Sequence, residues 1–335
     1  MIKEISAFSE IPVAEGSFVV YDANVAWIAE QIIGPGVLGS VAMEATEENK
    51  TMDTVLLICR SMMEAGLPRG GEVICVGGGI TSDIGGFAAS IYKRGVSYVN
   101  VPTTLLAQVD AGIGGKTGVN FDGLKNMLGV IVQPRMTYIC ADALRTLPRR
   151  ELLCGVAEML KTFLLADAAA YADVQGVDLL VQPCTIMKAA AIKQSIVEND
   201  LYERDTLSSR PSEARGEISR AVLNFGHTFA HGIEHVALER GDDVAHGEAV
   251  AMGIVLAARL GDRLYGTALE PRIAADFGRI GLPVECPYAL EELVPAMSRD
   301  KKGAGEKVKF VLLEDFGKPK FEMLAPARAV EILSR

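Results

Sequence analysis

Histidine is scarce in this sequence. There are four in 335 residues, and all lie between positions 227 and 246. The six cysteines (Cys59, Cys75, Cys140, Cys154, Cys184, Cys286) form no C-x-x-C pair. Most sit among apolar neighbours, so they read as reduced core thiols of a cytoplasmic protein. No uncharged apolar run reaches the length of a membrane span. The opening MIKEISAFSE lacks the apolar core of a secretory signal. Basic excess is also missing: the net charge is −10, which disfavours nucleic acid and anionic membrane as partners. An anionic small molecule would need a local basic pocket. There is no internal repeat and no low-complexity tract. The stretch from Gly77 to Asp83 is not the G-x-G-x-x-G fingerprint. The P-loop is incomplete, because Asp110 stands where its first glycine belongs, so an ATPase is not indicated.

What remains is an ordinary globular balance, 49% apolar and 23% charged, in a chain long enough for two domains. Residues 1–149 alternate short apolar runs with helical patterns. Phe18–Tyr21, Gly39–Ala45, Val73–Val76, Tyr98–Val101 and Met136–Cys140 read as strands, and Met52 to Met63 as an amphipathic helix stopped at Gly66. That alternation predicts a mostly parallel α/β sheet. From residue 150 to 335 long helical patterns take over: 151–167, 185–199, 217–238 and 246–265, the last apolar nearly all round. A strand is expected at Val308–Leu313. The polar stretch between Leu201 and Gly216 reads as a loop.

The densest stretch runs from Val76 to Asn126. The run Val73–Val76 ends in Gly77, Gly78 and Gly79, and Asp83 precedes a small-residue helix. A strand, a glycine turn and a helix are the usual means of holding a phosphate at a helix N-terminus. Glycine clusters are also common in plain tight turns. A second cluster, Gly112-Ile113-Gly114-Gly115-Lys116-Thr117, lies close behind and suggests a second anion beside a dinucleotide. Polar residues that a plain turn would not need crowd here: Asp83, Arg94, Asp110, Lys116, Lys125 and Asn126. Asp22, at the end of an earlier strand, stands where a ribose is often held, though a turn-forming Asp is as common.

His227, His231 and His235 are spaced by four and share one helix face, and His246 opens the next helix. Histidines at i and i+4 are good transition-metal ligands, and any adjacent two of the three qualify by spacing alone. Surface or capping histidines are the bland alternative. A carboxylate would complete a zinc site with an open position, and Glu158, flanked by Ala157 and Met159, is a candidate.

Taken together, the segments GGGITSDIGGFAASIYKRGV, VPTTLLAQVDAGIGGKTGVN, LKNMLG, QP, TLPRRELLCGVAEMLK, LNFGHTFAH, HGEAVAMG and DKK resemble the 3-dehydroquinate synthase family of the sugar phosphate cyclase superfamily. The resemblance extends from about Asp22 to Gly317. It implies an N-terminal NAD-binding, Rossmann-like α/β domain (1–149) and a C-terminal all-α metal- and substrate-binding domain (150–335). The site would lie between them, in a cytoplasmic homodimer. It implies bound NAD and one divalent metal, Zn²⁺ or Co²⁺. The implied reaction converts 3-deoxy-D-arabino-heptulosonate 7-phosphate to 3-dehydroquinate and phosphate in the shikimate pathway, as a phosphate-eliminating lyase.

Carried onto this chain, the resemblance makes Glu158, His227 and His246 the metal ligands and gives His231 to the substrate. The NAD contacts become Asp22, Glu47 and Lys50 toward the adenosine, then Gly78, Gly79 and Asp83 at the pyrophosphate and nicotinamide ribose. Thr103, Thr104, Lys125, Thr146 and Leu147 would lie nearby. The substrate pocket would hold Asp110, Lys116, Asn126, Lys161, Lys193, Arg220, Asn224 and Lys302, with Arg94 reaching the partner subunit's site. Such a pocket positions a flexible sugar phosphate and neutralises its two anionic ends. The chain departs from the family between Leu201 and Arg220, where the connection is longer. Gly216, followed by Glu217, stands where the family has an acidic residue. Three other readings share parts of this pattern: another sugar phosphate cyclase, a metal-dependent polyol dehydrogenase of the glycerol dehydrogenase type, and an NAD-binding protein whose site has decayed.

Overall fold

Strand Glu72–Gly77 is buried along its whole length, as a parallel strand covered by helices on both faces must be. It is the fourth strand, β4, of a computed structural model that describes residues 1–173, 176–203, 219–299 and 307–335. The chain divides into two units, one of Met1–Leu152 with Val181–Gln194 and one of Leu153–Leu180 with Ser195–Arg335.

The first unit is built on a parallel sheet of β1 (Ile2–Glu4), β2 (Ser17–Asp22), β3 (Val37–Met43), β4, β5 (Ser97–Pro102) and β8 (Met136–Ile139), in the order β1-β8-β5-β4-β2-β3. Helices α2 (Met52–Glu64) and α3 (Gly79–Ile91) cover one face, with Val55, Ile58, Met62 and Ile84 fully buried against Phe18, Val20 and Val73. Helix α1 (Ala26–Ile32) and the turn Phe8–Glu10 cover the other, over Val19, Ile74 and Val99. The chain passes from β2 to β3 on one side and on to β4 on the other. The strand order therefore reverses between β2 and β4, and ligands of open α/β sheets bind outside the carboxyl ends at such a point. Asp22 and Gly77 are the last residues of those two strands.

The second glycine cluster differs from expectation. No helix follows it. Lys116 begins β6 (Lys116–Phe121), which pairs antiparallel with β7 (Leu124–Ile131), a hairpin with no clear hydrophobic alternation to announce it. The glycines serve its backbone: a Cβ on Gly118 would fall 2.4 Å from the Leu128 carbonyl oxygen, and one on Gly129 would fall 2.1 Å from that of Thr117.

The second unit takes in α4 (Arg149–Ala166) from Leu153 onward, α5 (Ala168–Ala172), α6 (Val177–Leu180) and the end of α7 (Pro183–Asn199). Helices α8 (His227–Arg240), α9 (His246–Tyr265), α10 (Glu270–Ile280), α11 (Leu290–Arg299) and α12 (Pro326–Ser334) follow. It is helical as expected, with one addition: the strand expected at Val308–Leu313 is β9 (Val308–Asp315), and it pairs with a β10 (Lys318–Leu324) that the sequence pattern did not announce. The single helix expected over 217–238 is broken. A short 3-10 turn, Arg220–Asn224, ends at Gly226, whose φ of 79° is left-handed, and α8 starts afresh at His227. Gly226 is required on two counts. Its backbone is in the region that favours glycine, and a Cβ would meet the Ile254 nitrogen at 2.7 Å. Helix α9 matches its expected bounds and is buried over most of its length. Among the described residues no helix is long and apolar enough to cross a membrane.

Candidate active site and metal centre

Three helices of the second unit converge on one carboxylate. Glu158, in the middle of α4, is fully buried. Its Oε1 lies 3.4 Å from Nε2 of His227, at the start of α8, and 3.4 Å from Nε2 of His246, at the start of α9. Its other oxygen is ion-paired with Lys161, one turn along α4. Neither oxygen accepts a well-formed hydrogen bond, although a buried carboxylate ordinarily does. One ligand atom from each of Glu158, His227 and His246 falls within 4.8 Å of the others. Two ligands each about 2.1 Å from a tetrahedral ion stand about 3.4 Å apart, so the carboxylate-to-imidazole spacings suit zinc-sized coordination. The donor set, two imidazoles and one carboxylate, is that of an open catalytic site.

Glycines bring these helices close enough. A Cβ on Gly247 would sit 2.2 Å from the Cys154 Cα, and one on Gly253 would sit 2.3 Å from the Gly226 carbonyl oxygen. The backbones of α4, α9 and the head of α8 therefore touch beside Glu158, His227 and His246.

The charges are balanced around Glu158. Burial alone would raise its carboxyl, but the Lys161 ammonium and the His227 imidazole outweigh burial and hold it well below the usual range. Burial, helped by Lys161, pushes His227 down. Burial also opposes protonation of His246, but the facing carboxylates of Glu158 and Glu234 overcome it and bring that imidazole up to about 10. The Nδ1 side of each ring meets an oxygen: Phe225 O at 3.2 Å for His227, and Glu234 Oε1 at 3.3 Å for His246. Glu234 was not singled out by sequence. Its one signal was its place two helical turns from His227, on the same face.

His231 is exposed, with its ring edge-on to that of His227 at 5.8 Å between centroids. His235 pairs with Glu239 at 3.2 Å, one turn away from the cluster. Arg220 is buried, and its guanidinium donates to Leu201 O at 2.8 Å. Its backbone N–H lies 3.3 Å from an Asp200 carboxylate oxygen, which also accepts from Ser219 Oγ at 3.2 Å. Asn224 donates to Glu203 at 3.1 Å. Lys302 lies outside the described residues, as do Gly216 and Glu217.

In the first unit, Asp22, Gly78, Gly79, Thr103 and Thr104 of the expected NAD residues stand at the carboxyl ends of β2, β4 and β5. Asp22 caps the following turn, accepting from the Asn24 backbone at 3.0 Å. Gly78 is the N-cap of α3 and Gly79 its first residue. Thr103 N donates to Gly77 O at 2.9 Å, and Thr104 Oγ1 accepts from Ala107 N at 3.1 Å. A Cβ on Gly79 would meet that of Ala111 at 2.9 Å, so close packing explains this glycine independently of any ligand. Lys50 is buried and donates to Asp83 and to Asn126, both at 2.6 Å. Burial raises the Asp83 carboxyl, against the pull of Lys50. Asn126 is held on left-handed backbone, φ 53°, with its N–H on Asn120 Oδ1. Glu47 accepts from Asn120 Nδ2 at 2.9 Å. Asp110 is ion-paired with the buried Lys193, which also donates to its carbonyl at 2.7 Å. Lys116 and Lys125 are exposed on the hairpin, and Arg94 is exposed on left-handed backbone, φ 67°. Thr146 ends a 3-10 turn that Leu147 caps.

Comparison with known proteins accords with this arrangement. The family described as 3-dehydroquinate synthase N-terminal matches residues 40–154, and 3-dehydroquinate synthase C-terminal matches residues 155–303. A 3-dehydroquinate synthase from Coxiella burnetii is 42% identical over 282 residues, covering 81% of this chain and 74% of its own. Among solved structures, 2-epi-5-epi-valiolone synthase from Streptomyces hygroscopicus, with NAD⁺ and Zn²⁺ bound, superposes with a TM-score of 0.83 at 29% identity. It covers 100% of this chain and 95% of its own. A probable glycerol dehydrogenase from Sinorhizobium meliloti covers 99% of this chain and 95% of its own, with a TM-score of 0.66; at 13% identity it shares the fold alone.

Proposed function

The chain belongs to the 3-dehydroquinate synthase family, and from that premise we propose that it converts 3-deoxy-D-arabino-heptulosonate 7-phosphate into 3-dehydroquinate and phosphate. It is then a phosphate-eliminating lyase of the shikimate pathway, dependent on NAD and a divalent metal. The observation that carries the reading is the buried Glu158 carboxylate facing two imidazole nitrogens at 3.4 Å. When bound, NAD supplies reversible hydride acceptance at a substrate carbinol, and zinc or cobalt supplies Lewis-acid polarisation of the carbinol oxygen.

The chain's own residues then bind, orient and neutralise. Glu158, His227 and His246 hold the metal and leave positions open for substrate oxygens. Asp22, Glu47, Lys50, Gly78, Gly79, Asp83, Thr103, Thr104, Lys125, Thr146 and Leu147 hold the dinucleotide, with Gly78 and Gly79 offering the amino end of α3 to its pyrophosphate. Lys116, Lys161, Lys193, Arg220 and Lys302 neutralise the substrate's carboxylate and phosphate, while Asp110, Asn126, Asn224 and His231 orient its hydroxyls. The substrate's own phosphate can take the proton lost in elimination, so no strong protein base is required. We place Arg94 in the partner's site of a homodimer, which its exposure allows. All six cysteines are free thiols, which suits the cytoplasm.

The test is a phosphate-release assay with the heptulosonate phosphate, catalytic NAD⁺ and Zn²⁺ or Co²⁺. Phosphate release without net NADH is expected. NADH accumulating on simple polyols would instead make the protein a dehydrogenase, and silence in both assays would mark a decayed site.

A further inference from the structure

His246 is the more weakly held of the two histidines that face Glu158. It is the first residue of α9, and its side chain is 39% exposed, against 14% for His227. A half-turn about χ2 would put ring carbons where Nδ1 and Nε2 now lie. His227 is fixed by its own chain, with Nδ1 3.2 Å from the carbonyl of Phe225, two residues back. His246 has no such local hold in view. The nearest acidic residue on its own helix, Glu248, is occupied with capping α9, accepting from Ala245 N at 2.9 Å. The oxygen that meets His246 Nδ1 comes from another helix, Glu234 Oε1 on α8, at 3.3 Å.

We propose that Glu234 is the positioning residue of the metal centre: it accepts Nδ1–H of His246 and so aims the Nε2 lone pair at the ion. This rests on reading Glu158, His227 and His246 as the metal ligands. The chemistry is general. A ligating imidazole whose other nitrogen donates to a carboxylate is locked in one tautomer and one ring orientation, and is a stronger donor for it. The placement fits. Glu234 lies seven residues after His227 on the same helix, so α8 supplies one ligand directly and orients a second across the α8–α9 packing. Its side chain is 18% exposed, which limits competition by water for the bond. Glu234 acts only through His246.

The experiment compares Glu234→Ala and Glu234→Gln with the unaltered protein. Zn²⁺ affinity is measured by competition with a chromophoric chelator, the visible spectrum is recorded after Co²⁺ substitution, and Tm is recorded for each metal-free protein. Glu234→Ala should bind Zn²⁺ roughly 10- to 100-fold more weakly and alter the Co²⁺ bands. Glu234→Gln keeps an acceptor oxygen and should recover much of the affinity. The metal-free Tm should be nearly the same in all three. Unchanged affinity and spectrum in Glu234→Ala would overturn the proposal. So would a Gln variant as impaired as the Ala variant, or an affinity loss matched by a fall in metal-free Tm. His227→Ala and His246→Ala are titrated alongside. Zn²⁺ retained by both would instead sink the ligand assignment, whatever Glu234 does.

Discussion

Gly247 and Cys154 touch backbone to backbone: a Cβ on the glycine would fall 2.2 Å from the Cys154 Cα. Gly247 follows His246, and Cys154 precedes Glu158 by one turn of α4; both neighbours are proposed metal ligands. One methyl group here must push α9 from α4. Overpacking of this kind typically costs about 1–3 kcal/mol. Gly247→Ala should lower the urea midpoint accordingly and also weaken retention of metal on dialysis, because the ligands move apart. A variant as stable as the parent, with full metal content, would show that the helices separate without disturbing the centre.

The histidines should separate by role. His227→Ala and His246→Ala are expected to lose metal on dialysis and fall to background turnover. His231→Ala should keep its metal and lose activity, since that exposed ring is proposed to meet the substrate. His235→Ala should do no harm beyond its surface pairing with Glu239, worth about 0–1 kcal/mol. Metal content by mass spectrometry on the four proteins decides the matter. Metal lost from His231→Ala and kept in His227→Ala would reverse the assignment.

Lys116 should act on ligand and not on stability. It is exposed at the first position of β6, whose pairing runs through the backbone. Lys116→Ala should leave Tm within about 1–2 °C, as for a surface change within about ±0.5 kcal/mol, and reduce turnover by orders of magnitude. A large fall in Tm with intact turnover would make it a structural lysine.

Thiol chemistry offers a pH prediction. Burial pushes the Cys75 thiol from 9.0 to about 12, whereas Cys184 is exposed on α7. The folded chain therefore keeps a proton that the unfolded chain gives up near 9.0. Folding stability from this group is complete below that value and falls as pH rises toward about 12. In a disulfide-exchange assay at pH 8, Cys184 should react at once and Cys75 only after unfolding. Prompt labelling of Cys75 in the folded protein would contradict its burial.

Most of the fold was legible because its signals are local. The apolar runs of β2, β4, β5 and β8 and the helical period of α2 and α9 survive in the sequence, and both bounds of α9 emerge from it. The hairpin β6–β7 did not, because its glycines look like a phosphate turn until Gly118 is seen opposite Gly129. The break at Gly226 was hidden for a similar reason: the glycine answers to Ile254 on another helix, and no neighbour in sequence announces it. At the candidate site, spacing left the choice among His227, His231 and His235 open. What gathers His227 and His246 around Glu158 is the packing of three helices, which no local pattern encodes. Glu234 was missed because its partner, His246, sits on a different helix.

Three buried lysines are held in ion pairs: Lys50 with Asp83, Lys161 with Glu158, and Lys193 with Asp110. Each ammonium is almost wholly buried, so each pair is a unit of inheritance as much as of charge. Losing one member strands the other, at about 3–5 kcal/mol, while replacing both by packed apolar groups is often nearly neutral. For folding alone, the six positions are therefore strongly epistatic. A lineage that no longer needed the activity would cross a valley to lose Lys161 or Glu158 singly, yet could lose both together with little effect on the fold.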